Sequence, residues 1–177
     1  MKPRRPESNE YAPFYAGYIA LVPGEDVLAA LESQRLYIVQ MLSARSEREG
    51  NFKYAPDKWS VKEVVGHMSD TERVFTYRAM RIARGDKTPL PGFEQDDYVK
   101  NGGFGDRHLV DLAEEFAAVR SGTIALFRSL NDAAWKRRGM ASNKEVSVLA
   151  LAFMTAGHQL HHQRILEERY FAAIPRA

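Results

Sequence analysis

Two histidines near the C-terminus have a spacing suited to metal chemistry. His158 and His162 lie in the run from Gly157 to His162. In a helix they stand one turn apart on one face, and two imidazoles so placed form half of a site for a divalent metal ion. His158 with His161 is a competing pair, although it fits the apolar stripe of the helix less well.

A third candidate ligand, His67, lies far upstream in another helical segment. It shares an inward face with Val64 and Thr71, just as His158 and His162 continue the apolar face of their own segment. Packed helices have axes about 8–10 Å apart, so imidazoles from two helices can reach one ion. Three protein ligands leave a coordination position open, which is typical of catalytic sites. The sequence therefore predicts a metal site at His67, His158 and His162.

Two other histidines fit this site less well. His161 projects about 100° away from His162 around the helix, and His108 lies at the start of a different helical segment. For both we expect a solvent-facing or capping role. Gln159 stands where a zincin protease of the H-E-x-x-H type has glutamate, which argues against that class of enzyme.

Two carboxylates and two glycines lie close to the candidate ligands. Glu63 and Asp70 are each one turn from His67, where they could orient the imidazole or handle protons. The alternatives are a capping role for Glu63 and a surface position for Asp70. Gly66 and Gly157 directly precede ligands; a glycine there would leave room for a substrate or allow two elements to approach closely.

Composition limits the function classes. The chain has 177 residues, 45% of them hydrophobic and 27% charged, with a net charge of +2. That balance argues against a nucleic-acid binder. Cysteine is absent, which excludes disulfides and protein thiol nucleophiles, so any reacting thiol must be a small molecule. The longest apolar run, Val146 to Gly157, is too short to span a bilayer, and no apolar segment follows the basic start. We therefore expect a cytoplasmic protein without a membrane partner.

Helical periodicity predicts four long helices. They belong to a single domain, residues 1–177, which begins with an N-terminal arm at 1–23. The helices are expected at about 24–48, 60–84, 106–130 and 145–171. Ser60 and Glu63 predict a capping box at the second helix, and Gly85 its end. Asp106 is the predicted N-cap of the third helix, while Ser142 or Ser147 could cap the fourth. No strand is expected.

The segments between these helices carry further expectations. Residues 85–105 are rich in proline and glycine and predict a long crossover between the second and third helices. The fold class is therefore an all-α four-helix bundle. The crossover could line a pocket or form a surface loop, with these residues as candidates: Phe93, Asp96, Asp97, Tyr98 and Phe104. The arm should pack over the domain without regular structure. The run Val146 to Gly157 predicts either an enclosed helix or a dimer interface.

Three stretches together resemble the DinB-like superfamily, which includes YfiT-type metal-dependent hydrolases and thiol S-transferases. They are Trp59 to His67, Pro91 to Tyr98, and Ala156 to His162. The resemblance implies a bundle of the up-down-down-up kind, often dimeric. It also implies a divalent metal ion, zinc or nickel, on the histidine of the second helix and the H-x-x-x-H pair of the last.

The resemblance leaves the reaction open. It implies a metal-dependent enzyme that activates water or a low-molecular-weight thiol toward a small-molecule substrate, as a hydrolase or an S-transferase. The alternative is a non-catalytic stress-response binding or interaction module whose metal site is structural or vestigial. A third reading, DNA association, is opposed by the near-neutral charge.

Overall fold

The computed structural model describes residues 4–174 of the chain. In this part, four long helices form a bundle, and shorter elements cover its ends and one side. The helices are α1 (Ala16–Leu21), α2 (Val27–Ser43), α3 (Glu47–Gly50), α4 (Val61–Ala83), α5 (Gln95–Asn101), α6 (Leu109–Arg128), α7 (Asp132–Trp135) and α8 (Val148–Ile165). A π-helical turn, Leu166–Phe171, extends α8.

Pairs of contacts show how the four long helices run. Glu72 of α4 binds Arg120 of α6, and Thr76 binds Thr123, so these two helices are parallel. The start of α4 instead meets the end of the last helix, where the hydroxyl of Tyr170 donates to the carbonyl of residue 59 at 2.7 Å. The predicted up-down-down-up four-helix bundle is confirmed, with the long crossover joining the parallel pair.

The start and end of α4 follow the local sequence. The Glu63 amide donates to Ser60 Oγ at 3.2 Å, and the Glu63 carboxylate accepts from the Ser60 amide at 2.6 Å. Gly85, with a φ of 86°, follows the last turn. The predicted capping box and stop are confirmed, and they fix the register of the helix that carries His67.

Two other predicted helix boundaries, the start of α6 and the end of α2, need correction. Asp106 does not cap α6, because it lies in a separate 3-10 turn and the helix begins at Leu109. The Leu109 amide donates at 2.7 Å to the carboxylate of Glu47, which caps the helix from a distant part of the chain. α2 ends at Ser43, not residue 48, because Ser46 begins the separate helix α3 with its own capping box.

The segment before α8 contains strands that the sequence analysis did not predict. Strand β1 (Arg138–Ala141) pairs antiparallel with β2 (Lys144–Ser147), around a turn in which Ser142 and Asn143 have positive φ. Mirror-type turns of this kind match the twist of a hairpin. Ser147 at the end of β2 then caps α8, accepting from the Ala150 amide at 2.9 Å.

The N-terminal arm packs over the bundle as expected, but it contains the short helix α1, which was not predicted. Arg5 ties this helix down by donating to the carbonyls of Ile19 and Val22. With α1 on one side and the bundle on the other, α8 is buried at every residue from 148 to 159. The long apolar run is thus an enclosed helix. No helix among residues 4–174 is long and apolar enough to cross a membrane.

Candidate metal centre

The three predicted ligands meet between α4 and α8. His67 Nε2 lies 3.1 Å from His158 Nε2, which lies 3.1 Å from His162 Nε2. Two Zn–N bonds of about 2.05 Å at a tetrahedral angle would separate their nitrogens by about 3.3 Å. Both distances from His158 are therefore close to what one ion requires. The ligand atoms of the three residues all lie within 4.8 Å of one another, and they form the one three-ligand group in the described part of the chain.

The three side chains are buried, with exposed fractions of 3% for His67, 6% for His158 and 9% for His162. Burial lowers the pKa of His67 to about 4. Burial, followed by repulsion from the neighbouring imidazoles, holds the pKa of His158 and His162 well below the usual value. All three are therefore neutral at pH 7, which is the state that binds a metal ion.

Three converging Nε2 atoms cannot all satisfy one another. Two facing lone pairs repel and two facing N–H groups clash, so each contact needs one donor and one acceptor. A cation placed among them accepts all three lone pairs at once. Thr71 Oγ1 lies 3.5 Å from Nδ1 of His67, a long contact that leaves Nε2 of that ring for the cluster. The donor set, three neutral imidazoles, suits a divalent transition metal ion such as zinc, copper, iron or nickel.

Aromatic rings close the cluster on several sides. The Trp59 ring lies 4.7 Å from the His67 ring, centre to centre, and Tyr18 of α1 lies 5.6 Å from His158. Phe75 approaches His158 from α4 at 6.1 Å. These rings limit the rotamers open to the imidazoles and shield the cluster from solvent on these sides, which strengthens electrostatic interactions with a bound ion.

The glycines beside the ligands serve close packing and leave no room for a substrate. A Cβ atom on Gly66 would lie 2.3 Å from the Phe104 ring of the crossover. A Cβ atom on Gly157 would lie 2.0 Å from the backbone carbonyl of Tyr18. The close-packing alternative is therefore correct at both positions: each glycine lets an outer segment press on a ligand-bearing helix.

The candidate carboxylates near His67 are engaged elsewhere. Glu63 forms the capping box and an ion pair of 3.0 Å with Lys53. Asp70 pairs with Arg73 at 3.0 Å. No hydrogen bond or ion pair in the described structure joins either carboxylate to an imidazole, so the capping and surface alternatives hold.

A cavity of about 300 Å³ opens beside His162. Trp59 and Asp96 line it, together with the ammonium of Lys58. Asp96 comes from the crossover, which thus contributes to a pocket next to the cluster. The remaining crossover candidates lie elsewhere: Phe93 and Tyr98 line a second cavity, Phe104 fills the space over Gly66, and Asp97 is exposed.

The two remaining histidines lie outside the cluster. His161 is half-buried and its ring lies 5.0 Å from that of Tyr18, on the side of α8 that faces α1. The His108 side chain is exposed and lies 3.9 Å from the Glu47 carboxylate. Neither belongs to the three-ligand group.

A second buried polar cluster was missed by the sequence analysis. The guanidinium of Arg120, fully buried, donates to both carboxylate oxygens of Glu72 at 2.7 Å. It also donates at 3.0 Å to the buried side chain of Gln34 in α2. Gln34 in turn binds the carbonyl of residue 156 at 3.1 Å, in the turn before His158. The sequence did contain a signal for this cluster, because Arg120 lies four residues after Phe116 and so on the same inward face of α6.

Comparisons with known proteins agree with this fold. The chain is similar in structure to YfiT from Bacillus subtilis, described as a probable metal-dependent hydrolase with an unusual four-helix bundle topology: identity is 15%, the TM-score is 0.71, and the match covers 94% of this chain and 91% of YfiT. It is also similar to the mycothiol-dependent maleylpyruvate isomerase, at 13% identity and a TM-score of 0.68, over 89% of this chain and 66% of that one.

At these identities the two likenesses establish the fold alone. No curated protein sequence matches the chain significantly. The sequence model of the DinB superfamily matches residues 23–166, which include α2 to α8 and all three clustered histidines. On that match, the chain belongs to the DinB superfamily.

Proposed function

We propose that this protein is a metal-dependent enzyme whose divalent metal ion is held by His67, His158 and His162. The observation that carries the proposal is the convergence of three buried, neutral imidazoles, in which Nε2 of His158 lies 3.1 Å from Nε2 of both His67 and His162. A bound divalent ion would lower the pKa of a coordinated water or thiol.

The residues around the cluster support a catalytic role. The cavity beside His162 provides a route from solvent, which a purely structural site has no need of. Its lining carries charges of both signs, from Lys58 and Asp96, which suits a small polar substrate. Asp57 also lines this cavity but pairs with Lys58 at 2.8 Å. Since Glu63 and Asp70 are engaged elsewhere, Asp96 is the carboxylate left to accept or donate a proton in this cavity.

The fold does not decide between hydrolysis and S-transfer. Hydrolysis would use water; S-transfer would use a low-molecular-weight thiol as co-substrate, because the chain has no cysteine. Among the structural neighbours, the probable metal-dependent hydrolase supports the use of water, and the mycothiol-dependent isomerase supports the use of a small thiol. Zinc or nickel as the ion, a homodimer and a cytoplasmic location remain predictions.

Two parallel assays test the proposal. Metal-stripped protein is reloaded with zinc or nickel, then given either monochlorobimane with a small thiol or p-nitrophenyl acetate alone. We expect one of these activities to depend on the metal, to be lost in His158→Ala and to persist in His161→Ala. Metal-loaded protein inactive in a wider panel of thiols and esters would favour the non-catalytic module. Protein that binds neither metal would contradict the proposed enzyme and leave only a module whose metal site is vestigial.

A further inference from the structure

A second cavity shares no lining residue with the cavity beside His162, and the metal cluster does not contribute to it. It has a volume of about 280 Å³ and lies between α4 and the crossover. We call it the crossover cavity; its lining includes Val74, Tyr77 and Arg78 of α4 with Leu90, Phe93 and Tyr98 of the crossover. Arg78 follows His67 by eleven residues, or about 16 Å along the helix. The crossover cavity is therefore separate from the candidate metal centre.

Arg78 is the unusual group in this lining. It is 3% exposed, and its Nη2 donates to the carbonyl of Pro91 at 2.6 Å and to the hydroxyl of Ser142 at 2.9 Å. Both acceptors are neutral. No carboxylate among residues 4–174 lies within ion-pair distance of this guanidinium, although buried arginines are ordinarily paired with one.

The contrast with neighbouring arginines is informative. Arg73, which also lines the cavity, is compensated by Asp70 at 3.0 Å and Glu115 at 2.5 Å. Arg120, on the other side of α4, is compensated by Glu72. Burial lowers the pKa of Arg78, and only the phenols of Tyr15 and Tyr98 act in the opposite direction. One buried positive charge is therefore left without a negative partner at this cavity.

The rest of the lining indicates what kind of molecule could pair with Arg78. The Phe93 ring lies 5.9 Å from the Arg78 guanidinium and 5.2 Å from the Tyr98 ring. Together with Val74 and Leu90 these rings form apolar walls. Such walls favour a flat, apolar molecule, because aromatic rings stack or meet edge to face.

We propose that the crossover cavity binds a small aromatic carboxylate, whose anionic group pairs with Arg78 and whose ring lies between Phe93 and Val74. A carboxylate matches the fork of a guanidinium, which keeps further N–H donors after Nη2 is used. A single uncompensated charge calls for a monoanion, which favours a carboxylate over a phosphate. This site is independent of the proposed metal chemistry.

Calorimetric titration with 2-naphthoate tests the proposal, with neutral 2-naphthamide as the matched ligand. Metal-stripped protein is used first, so that the carboxylate cannot bind a metal ion instead. We expect saturable one-to-one binding of naphthoate, at least about tenfold tighter than that of the amide, because a charge-assisted pair is lost with the amide. Binding should persist in His158→Ala, which separates this test from that of the metal centre.

Three variants locate the site. Arg78→Gln should weaken naphthoate binding by at least about tenfold. Arg84→Gln removes the same charge from the exposed end of α4 and should leave affinity within about twofold. Val74→Phe narrows the cavity without touching the bonds of Arg78 and should also weaken binding.

Circular dichroism checks that each variant is folded. If Arg78→Gln does not fold, the Val74→Phe result and the amide comparison decide the question together. Absence of saturable binding at millimolar naphthoate, equal affinity for naphthoate and the amide, or unchanged affinity in Val74→Phe would each overturn the proposal.

Discussion

Two groups of buried polar side chains lie side by side in the bundle core, and their hydrogen bonding differs. The Arg120 cluster, formed by Glu72, Arg120 and Gln34, is charged and internally satisfied, with both carboxylate oxygens and the guanidinium engaged. The histidine cluster is neutral, and its three Nε2 atoms converge without enough complementary donors. Buried polar groups that satisfy one another are explained by the fold alone. Those that converge without satisfying one another indicate a ligand.

The largest expected effect comes from breaking the satisfied cluster. Arg120→Met leaves Glu72 as an unpaired buried charge, so the free energy of unfolding should fall by about 3–5 kcal/mol. Denaturant unfolding of the metal-free protein measures this. The double variant Glu72→Leu with Arg120→Met leaves no buried charge and should be more stable than either single variant. A single variant as stable as the wild type would show that the pair is not needed for folding.

A fall in pH should lower the stability of the metal-free protein through the histidine cluster. Since the folded protein holds these imidazoles at a lowered pKa, the unfolded chain takes up their protons first as the pH falls through about 6.5. The free energy of unfolding therefore decreases as the pH falls below that value. For His67, with a folded pKa of about 4, the loss between pH 7 and pH 5 is about 2 kcal/mol. Denaturant titrations of the metal-free protein across this range should show it, with a smaller slope in His67→Gln. A flat profile would mean that the imidazoles are solvated.

Close packing around the histidine cluster can be tested at its glycines. Alanine at Gly157 or Gly66 should lower stability by about 1–3 kcal/mol, because the new Cβ atom would meet the Tyr18 carbonyl or the Phe104 ring. The matched control is Gly122→Ala in α6, where no atom lies within 4 Å. There the helix propensity of alanine should raise stability by about 1 kcal/mol. Thermal unfolding compares the three; equal effects at all sites would argue against the close contacts.

Periodicity and capping chemistry predicted much of this fold. The face shared by His67, Val64 and Thr71, and the one-turn spacing of His158 and His162, depend only on helical geometry. The structure brings these ligand candidates together accordingly. The capping box at Ser60 fixed the start of α4 for the same reason: its partners are three residues apart.

The features that were missed depend on contacts between distant segments. The cap of α6 comes from Glu47, 62 residues away, so no local pattern could reveal it. The partners of Arg120 lie 48 and 86 residues away. The hairpin at 138–147 was missed because its strands have four residues each and its turn is Ser142-Asn143, not the stronger Asn-Gly signal. Arg78 could not be singled out from the sequence, because its burial depends on the crossover that covers it.

The central claim is that the histidine cluster is completed by a metal ion, whereas the Arg120 cluster needs none. Elemental analysis of the purified protein tests this most directly, with His158→Ala and His161→Ala prepared in parallel. We expect about one zinc or nickel ion per chain in the wild type and in His161→Ala, and little in His158→Ala. A wild-type protein without metal, whose unfolding temperature does not change when zinc or nickel is added, would contradict the claim.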